Sequence, residues 1–490
     1  MKMTENLFTP ELSRVSLELM NPDNGVYETK TYPVTKESVS KVIAQALSIP
    51  LTAVDADLCY QSNVQWDSLG HINLMLALEK NFNIKIDQHT VLDLISLETI
   101  LTHVLKNKKN IEQALCTAPQ ETANTHPIYR GLNNIYFDES KISYIDAENS
   151  KLFYRGYSIV DLVAYASYEE VVYLLIQGEL PNPQELHSFQ QKIISLRELP
   201  DNLLQMVRLL APTQSLTAVI RTAVSALSEI MADFPVIDQG IAYIAKIPTI
   251  MGAYLAYKNN QEFIKPITTL SQVEYLLQML LGHVPEADVV RAVETNMILQ
   301  AEHESNASAF AARIAKSTEA TLGDALTVAI ATFSGMLHGG ALTGVLEMLE
   351  EISRENNVKT CIQQRIKNKQ PIYGFGHRVY RSIDPRSKHL QQNAEYLSAK
   401  YRNTKWLDIL EEIKIEMRDY MSHGININDD FHACISYLLA GFSKESLVPV
   451  FIAARSAGWV AHILEQSSNN ILIRPRLKYV GKIQAWPHQN

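Results

Sequence analysis

A break in patterning divides this 490-residue chain in two. From about Lys106 to Pro127 the run KNKKNIEQALCTAPQETANTHP is polar and only weakly periodic, the composition of a flexible linker. The chain is also longer than one core normally organises. We therefore expect an N-terminal arm at 1–34, a small unit at 35–107, a linker at 108–127 and a large unit at 128–490. Apolar residues at 46% and charged residues at 20% give enough apolar surface for folded cores, which excludes extensive disorder.

In the small unit Val39, Val42, Ile43, Ala46 and Leu47 repeat at the helical period, so a helix from Thr35 buries one face and ends before Pro50. Asp67 and Ser68 suit a helix N-terminus, with Leu74, Leu78 and Phe82 on one stripe behind them. A last short helix runs from Ser96 to Lys106 through Leu97, Ile100, Leu101, Val104 and Leu105. Taken alone, Asp-Ser-Leu is only a good helix start. The whole junction Trp66-Asp67-Ser68-Leu69-Gly70-His71 says more, and with it residues 35–107 resemble an acyl carrier protein. That resemblance implies a four-helix bundle in which Ser68 carries covalent 4′-phosphopantetheine, attached by a phosphopantetheinyl transferase. The second helix offers only Glu79 where such carriers often show several acids to their partners.

The large unit reads as apolar-periodic helices separated by Gly, Pro and Asn, for example Leu203 to Leu210, Asp324 to Met336 and Val448 to Glu465. Strand signals are confined to Lys141–Ile145 and Lys151–Tyr154, a hairpin at its start. No signal peptide opens the chain, and the longest apolar candidate, IAYIAKIPTIMGAYLAY, is interrupted by Lys246 and Pro248, so we expect no membrane partner. A net charge of −9 disfavours nucleic acid but leaves room for a basic cleft that binds small anions. Cys59, Cys116, Cys361 and Cys434 lack metal or redox spacing, which points to reduced thiols, a cytoplasmic location and no metal. Cys434 reads first as a small buried residue.

Three histidines stand in unusual surroundings: His303 in ILQAEHESNASAFAARI, His338 in GMLHGGALTG and His377 in PIYGFGHRVYRSIDPRSKHL. Any one of them alone is more often a packed or surface residue. Two sit beside glycines, however, where backbone can approach a ligand closely. A fourth segment adds Asp429 and Asp430, and arginines follow at Arg455, Arg474 and Arg476. Removing a proton beside a thioester carbonyl needs more than an ordinary carboxylate, because the developing oxyanion must be held. A neutral imidazole can hold it, a second can protonate an attacked ketone, and arginines can clamp carboxylates. The spacing of these histidines lacks a compact zinc motif.

In this order and across residues 128–490, these segments resemble citrate synthase, as do Tyr154-Arg155-Gly156-Tyr157 and the Gly-Phe-Gly-His-Arg-Val-Tyr run. The resemblance implies an all-α homodimer with a large domain (about 128–340 and 446–490) and a small domain (about 341–445), the active site lying in the cleft between them. It implies that His338 supports the enol, Asp430 takes the α-proton and His377 protonates the acceptor carbonyl. His303, Arg386 and Arg455, with Arg474 of the partner subunit, would hold oxaloacetate. Gly374 and Gly376 would lie along pantetheine, and Arg378 and Arg381 would meet coenzyme A phosphates. Asp430 keeps the spacing to Asn428 and Gly441, which leaves Asp429 as a loop or structural carboxylate.

Leu342-Thr343 and Ala433-Cys434 depart from the family's common Asn-Glu and Ser-Gly, and would reshape the acyl or acceptor pocket. Acetyl-CoA with oxaloacetate is therefore the first expectation and propionyl thioester, giving 2-methylcitrate, the second. The donor could equally be a thioester on Ser68, and the product citrate or a retained citryl thioester. A catalytically idle carrier-linked scaffold or metabolite sensor is the alternative outside enzymes.

Overall fold

The computed structural model describes residues 35–107 except 61, 63, 64 and 83, and residues 128–481 except 133, 134, 264–266, 268, 378 and 381–383. The expected arm at 1–34, the linker at 108–127 with Cys116, and Arg378 and Arg381 lie outside the described residues.

Thr35 opens the first helix, Lys36–Leu47: its side chain accepts from Ser38 N–H at 3.1 Å while Ser38 Oγ accepts from the Thr35 N–H. The chain leaves this helix through a left-handed Ser48 just ahead of Pro50. Helices Ser68–Phe82, Gln88–Asp93 and Leu97–Asn107 follow. Val39, Val42, Ile43, Leu47, Trp66, Leu74, Leu78, Phe82, Ile100 and Val104 pack into a core of their own. These include most of the positions that the helical period singled out.

The remainder is helical apart from an antiparallel meander of Ser143–Asp146, Lys151–Tyr154 and Tyr157–Ser158, in register from Ser143 opposite Tyr154 to Asp146 opposite Lys151. One apolar core runs from Ile142 to Ile463. At its centre lies Leu447–Ser468, a helix buried along nearly its whole length. By length and composition the stretch Lys444–Ser468 could cross a membrane, but its apolar surface is already covered by protein and it carries the buried Arg455.

The apolar stretch that carries Lys246 and Pro248 folds as one continuous helix, Val236–Lys258. Proline lacks the N–H that the carbonyl four residues earlier requires, and here Gln272 Nε2 donates to that Ile244 carbonyl at 2.9 Å. The Lys246 ammonium donates to the carbonyl oxygens of Leu196, at 2.8 Å, and Glu198. The helix expected over Asp324–Met336 covers Leu322–Phe333 instead. It stops at Ser334, and the turn that follows brings His338 back against Phe333, ring centroids 4.8 Å apart.

Candidate active site

Two sequence-distant loops are tied into one short ladder. Gly376 N–H donates to Asn426 O at 2.7 Å, Asn428 N–H to Gly374 O at 3.0 Å, and Asn428 Nδ2 to Gly376 O at 3.1 Å, around an antiparallel bridge between Phe375 and Ile427. Asn428 also caps helix Asp429–Leu439 by accepting from Asp430 N–H at 3.1 Å. The ladder therefore fixes His377 and Asp430 relative to each other through main chain. Gly374 is required here: its φ is +84°, and a Cβ would run into the Phe431 ring.

His377 Nδ1 accepts from the N–H groups of Val379 (3.0 Å) and Tyr380 (3.1 Å). The ring proton of the neutral imidazole must then sit on Nε2, leaving that nitrogen a donor. Burial pushes the ring down to about 4, so it is neutral at physiological pH. His303 lies edge-on to it, centroids 5.2 Å apart, with its Nε2 3.1 Å from the Tyr380 hydroxyl. Burial, and then Arg386, His377, Arg455 and His338, hold His303 well below the usual imidazole range. The loop carrying His303 presses onto the central helix at Gly458, where a Cβ would strike the Ala301 carbonyl and the Glu302 carboxylate.

His338 is wired differently. Its Nε2 lies 2.8 Å from Ser308 Oγ and 3.2 Å from Asn306 Oδ1. Ser308 Oγ already accepts from Trp459 Nε1–H at 2.9 Å, and Asn306 Oδ1 already accepts two backbone N–H groups as the cap of helix Ala307–Ser317. The Ser308 hydroxyl proton has two acceptors in reach, Asn306 Oδ1 at 2.7 Å and His338 Nε2 at 2.8 Å, and the choice between them sets the His338 tautomer. When the proton goes to His338 Nε2, the ring proton sits on Nδ1, a nitrogen with no hydrogen-bond partner among the described residues. Burial pushes the ring down to about 3, with the charge of Arg455 adding to the effect.

The charged groups pair within the site. Arg386 is buried, with Nε and Nη2 on Asp384 (3.0 and 2.7 Å) and Nη1 and Nη2 on Asp429 (both 2.9 Å). Asp429 is thus a structural carboxylate, and it is specifically the second partner of Arg386. Arg455, also buried, donates through Nε to Gln300 O at 2.5 Å and lies 5.0 Å above the Phe451 ring. Burial first, then the neighbouring Asp429 carboxylate, raise the Asp430 carboxyl well above its usual range, against the opposing field of Arg386 and Arg455. Neutral imidazoles at His377 and His338, with an Asp430 carboxyl of raised proton affinity on the loop tied to that of His377, are the group types that enolisation needs.

Other expected residues fall as follows. Gly374 and Gly376 are in the ladder, and Ser68 is the first residue of its helix in the N-terminal unit. Arg474 is exposed near the C-terminus of this chain and is not brought to the site within it. Cys434 is fully buried, and burial pushes its thiol up, so packing is its role. Leu342 and Ala433 are core residues. Sequence reasoning missed Asp384, Tyr380 and the Asn306–Ser308–Trp459 support of His338. The motif Asn306-Ala307-Ser308 before an apolar run, a helix-capping pattern, was the available signal for the last.

Residues 131–476 match the family model described as "Citrate synthase, C-terminal domain". The chain is 36% identical to the citrate synthase of Haloferax volcanii over 366 residues, which covers 72% of this chain and 96% of that one. It is 37% identical to the 2-methylcitrate synthase of Mycobacterium tuberculosis over 376 residues, 75% of this chain and 94% of that one. Among solved structures, citrate synthase from Thermoplasma acidophilum in ternary complex with carboxymethyl coenzyme A and oxaloacetate aligns with a TM-score of 0.70 at 30% identity, covering 74% of this chain and 98% of that chain. The family match begins only at residue 131. From that point the fold, the tied histidine and aspartate loops and the relatives agree, and the chain belongs to the citrate synthase family.

Proposed function

We infer that this chain is a citrate or 2-methylcitrate synthase, condensing an acyl-CoA with oxaloacetate, and we propose acetyl as the acyl group. The observation that carries the reading is the pair of imidazoles held neutral by burial together with the Asp430 carboxyl, whose proton affinity burial and Asp429 raise and whose loop is tied to that of His377. In the scheme Asp430 takes a proton from the acyl α-carbon. The electron pair moves onto the thioester oxygen, where His338 Nδ1–H donates a hydrogen bond to the enol or enolate. The carbon then attacks the oxaloacetate carbonyl, and the carbonyl oxygen receives the proton of His377 Nε2. His303, Arg386 and Arg455 hold the oxo acid, joined by Arg474 of the partner subunit in a homodimer. Gly374 and Gly376 border the pantetheine, and Arg378 and Arg381 meet coenzyme A phosphates. Water cleaves the resulting thioester to release citrate and the thiol. No step calls on a metal.

The finer part of the reading concerns residues 35–107, which we take as an acyl carrier domain modified on Ser68 with 4′-phosphopantetheine by a phosphopantetheinyl transferase. A carrier fused to a condensing enzyme supplies its acyl group at an effective concentration of the order of millimolar when the linker spans the sites. The helix that begins at Ser68 and the separate core behind it support this reading. An idle scaffold is disfavoured, because binding alone would not need neutral buried imidazoles together with a carboxyl of raised proton affinity. A propionyl donor is the second reading, motivated by relatives of both kinds at nearly equal identity.

Thiol release from acetyl-CoA and propionyl-CoA with oxaloacetate tests the reaction and ranks the donors; release from neither rejects it. Intact-mass analysis after co-expression with a phosphopantetheinyl transferase tests the carrier, and an unmodified Ser68 rejects that part alone.

A further inference from the structure

The N-terminal unit does not sit apart from the condensing unit. Lys369 Nζ donates to Leu47 O at 3.0 Å and to Gln65 Oε1 at 2.7 Å. The Tyr420 hydroxyl donates to Asn73 Oδ1 at 3.1 Å, and His423 Nε2 lies 3.4 Å from Glu79 Oε2. Tyr420 and Ile425 pack against the N-terminal unit's own apolar core as well as against the large one. Gln65, Asn73 and Glu79 follow one another along the approach to, and the length of, helix Ser68–Phe82. That helix therefore lies along residues 418–425 with its Ser68 end toward Lys369.

The residues it touches are the flanks of the ladder described above. Lys369 lies five residues before Gly374 of the ladder, and Ile425 is followed by Asn426, whose carbonyl holds Gly376 N–H. The contact surface is thus continuous with the loops that carry His377 and Asp430, yet none of its residues belongs to the reacting groups. We propose that Lys369, Tyr420, His423 and Ile425 form a seat for the N-terminal unit of the same chain, which presents a group carried on Ser68 to the adjacent condensing site in cis. The proposal rests on the carrier reading above. The seat is small and mixed: three polar side chains make four contacts beside an apolar edge. Such an interface is weak between separate molecules, and it serves here because the two units are tethered. Glu79 is also held for the purpose, since its Oε1 accepts from Ile86 N–H at 2.8 Å while Oε2 faces His423. This gives the lone acid of that helix a partner within its own chain.

The test uses the full-length modified protein, acetylated on its carrier and mixed with oxaloacetate without coenzyme A, followed by intact mass in single turnover. His423→Glu, which sets a carboxylate against Glu79, should slow carrier-supported condensation roughly tenfold, about the loss of one charge-assisted contact. Turnover of free acetyl-CoA should stay unchanged, which also shows that the variant folds. Adding Glu79→Lys to His423→Glu should restore the carrier-supported rate. Equal slowing of both reactions, or no slowing of either, overturns the seat. Mixed oligomers of Ser68→Ala and Asp430→Asn chains separate cis from exchange between subunits: no product is expected, and product at the wild-type rate overturns delivery in cis. If the loaded wild-type protein forms no product while free acetyl-CoA does, the carrier reading itself is wrong and the seat falls with it.

Discussion

Replacing Asp429 with asparagine should tighten oxaloacetate binding while weakening the base beside it. Arg386 presents five N–H donors, and Asp384 takes Nε and one Nη2 position while Asp429 takes one position on each Nη. A carboxylate arriving at Arg386 must compete for the positions that Asp429 holds, whereas the Asp384 fork is enough to keep the guanidinium oriented. A hydrogen bond to a charged group contributes about 1.5–3 kcal/mol, and asparagine keeps one neutral acceptor. The net release is therefore about 1–2 kcal/mol, or roughly five- to thirty-fold in affinity. The Asp429 charge is also the second cause, after burial, of the raised Asp430 carboxyl. Without it Asp430 stays ionised to lower pH, so the acid limb of the rate profile moves down, and as a weaker base it lowers kcat. Calorimetric titration with oxaloacetate and a pH–rate profile measure both effects. Weaker binding in the variant, or an acid limb that stays in place, would refute the assignment of Arg386 as an oxo-acid ligand masked by Asp429.

Ser308→Ala removes the hydroxyl that fixes the His338 tautomer and leaves the buried Trp459 N–H without its acceptor. We expect a stability loss of about 1–3 kcal/mol, seen in denaturant unfolding, together with a fall in kcat that Ser308→Thr largely rescues. Stability should also fall in acid. His377 is half-buried and His432 buried, and desolvation pushes both down to about 4, against about 6.5 in the unfolded chain. The unfolded state binds more protons between those limits, so their contribution is complete above about pH 6.5 and shrinks as pH falls toward 4, by up to about 1.4 kcal/mol per unit for each ring. Unfolding midpoints that do not drop between about pH 7 and pH 5 would contradict the burial of neutral imidazoles.

The histidine loops were legible because their glycines and neighbours form compact runs, and the helices because their apolar faces repeat. What stayed hidden is which partners the folded chain gives each group. Pro248 sits inside a helix where Gln272, distant in sequence, satisfies the carbonyl that the proline orphans. Asp429 is legible as a loop or structural carboxylate, but its partner Arg386 lies more than forty residues away and leaves no local period. The His377 tautomer depends on the main chain of Val379 and Tyr380 and that of His338 on where the Ser308 hydroxyl proton goes, and no residue type encodes such geometry. The seat on residues 418–425 was equally invisible, since the sequence suggests only a linker between the two units.

The central claim is that Asp430 removes the α-proton of the acyl group while the imidazoles stabilise what forms. It is tested most directly with Asp430→Asn, by measuring oxaloacetate affinity and the rate of condensation from acetyl-CoA bearing deuterium on its methyl carbon. The account predicts near-normal oxaloacetate binding, a rate at least about 100-fold below that of the wild type, and a primary isotope effect wherever proton removal limits the rate. Condensation by the variant at close to the wild-type rate would contradict it.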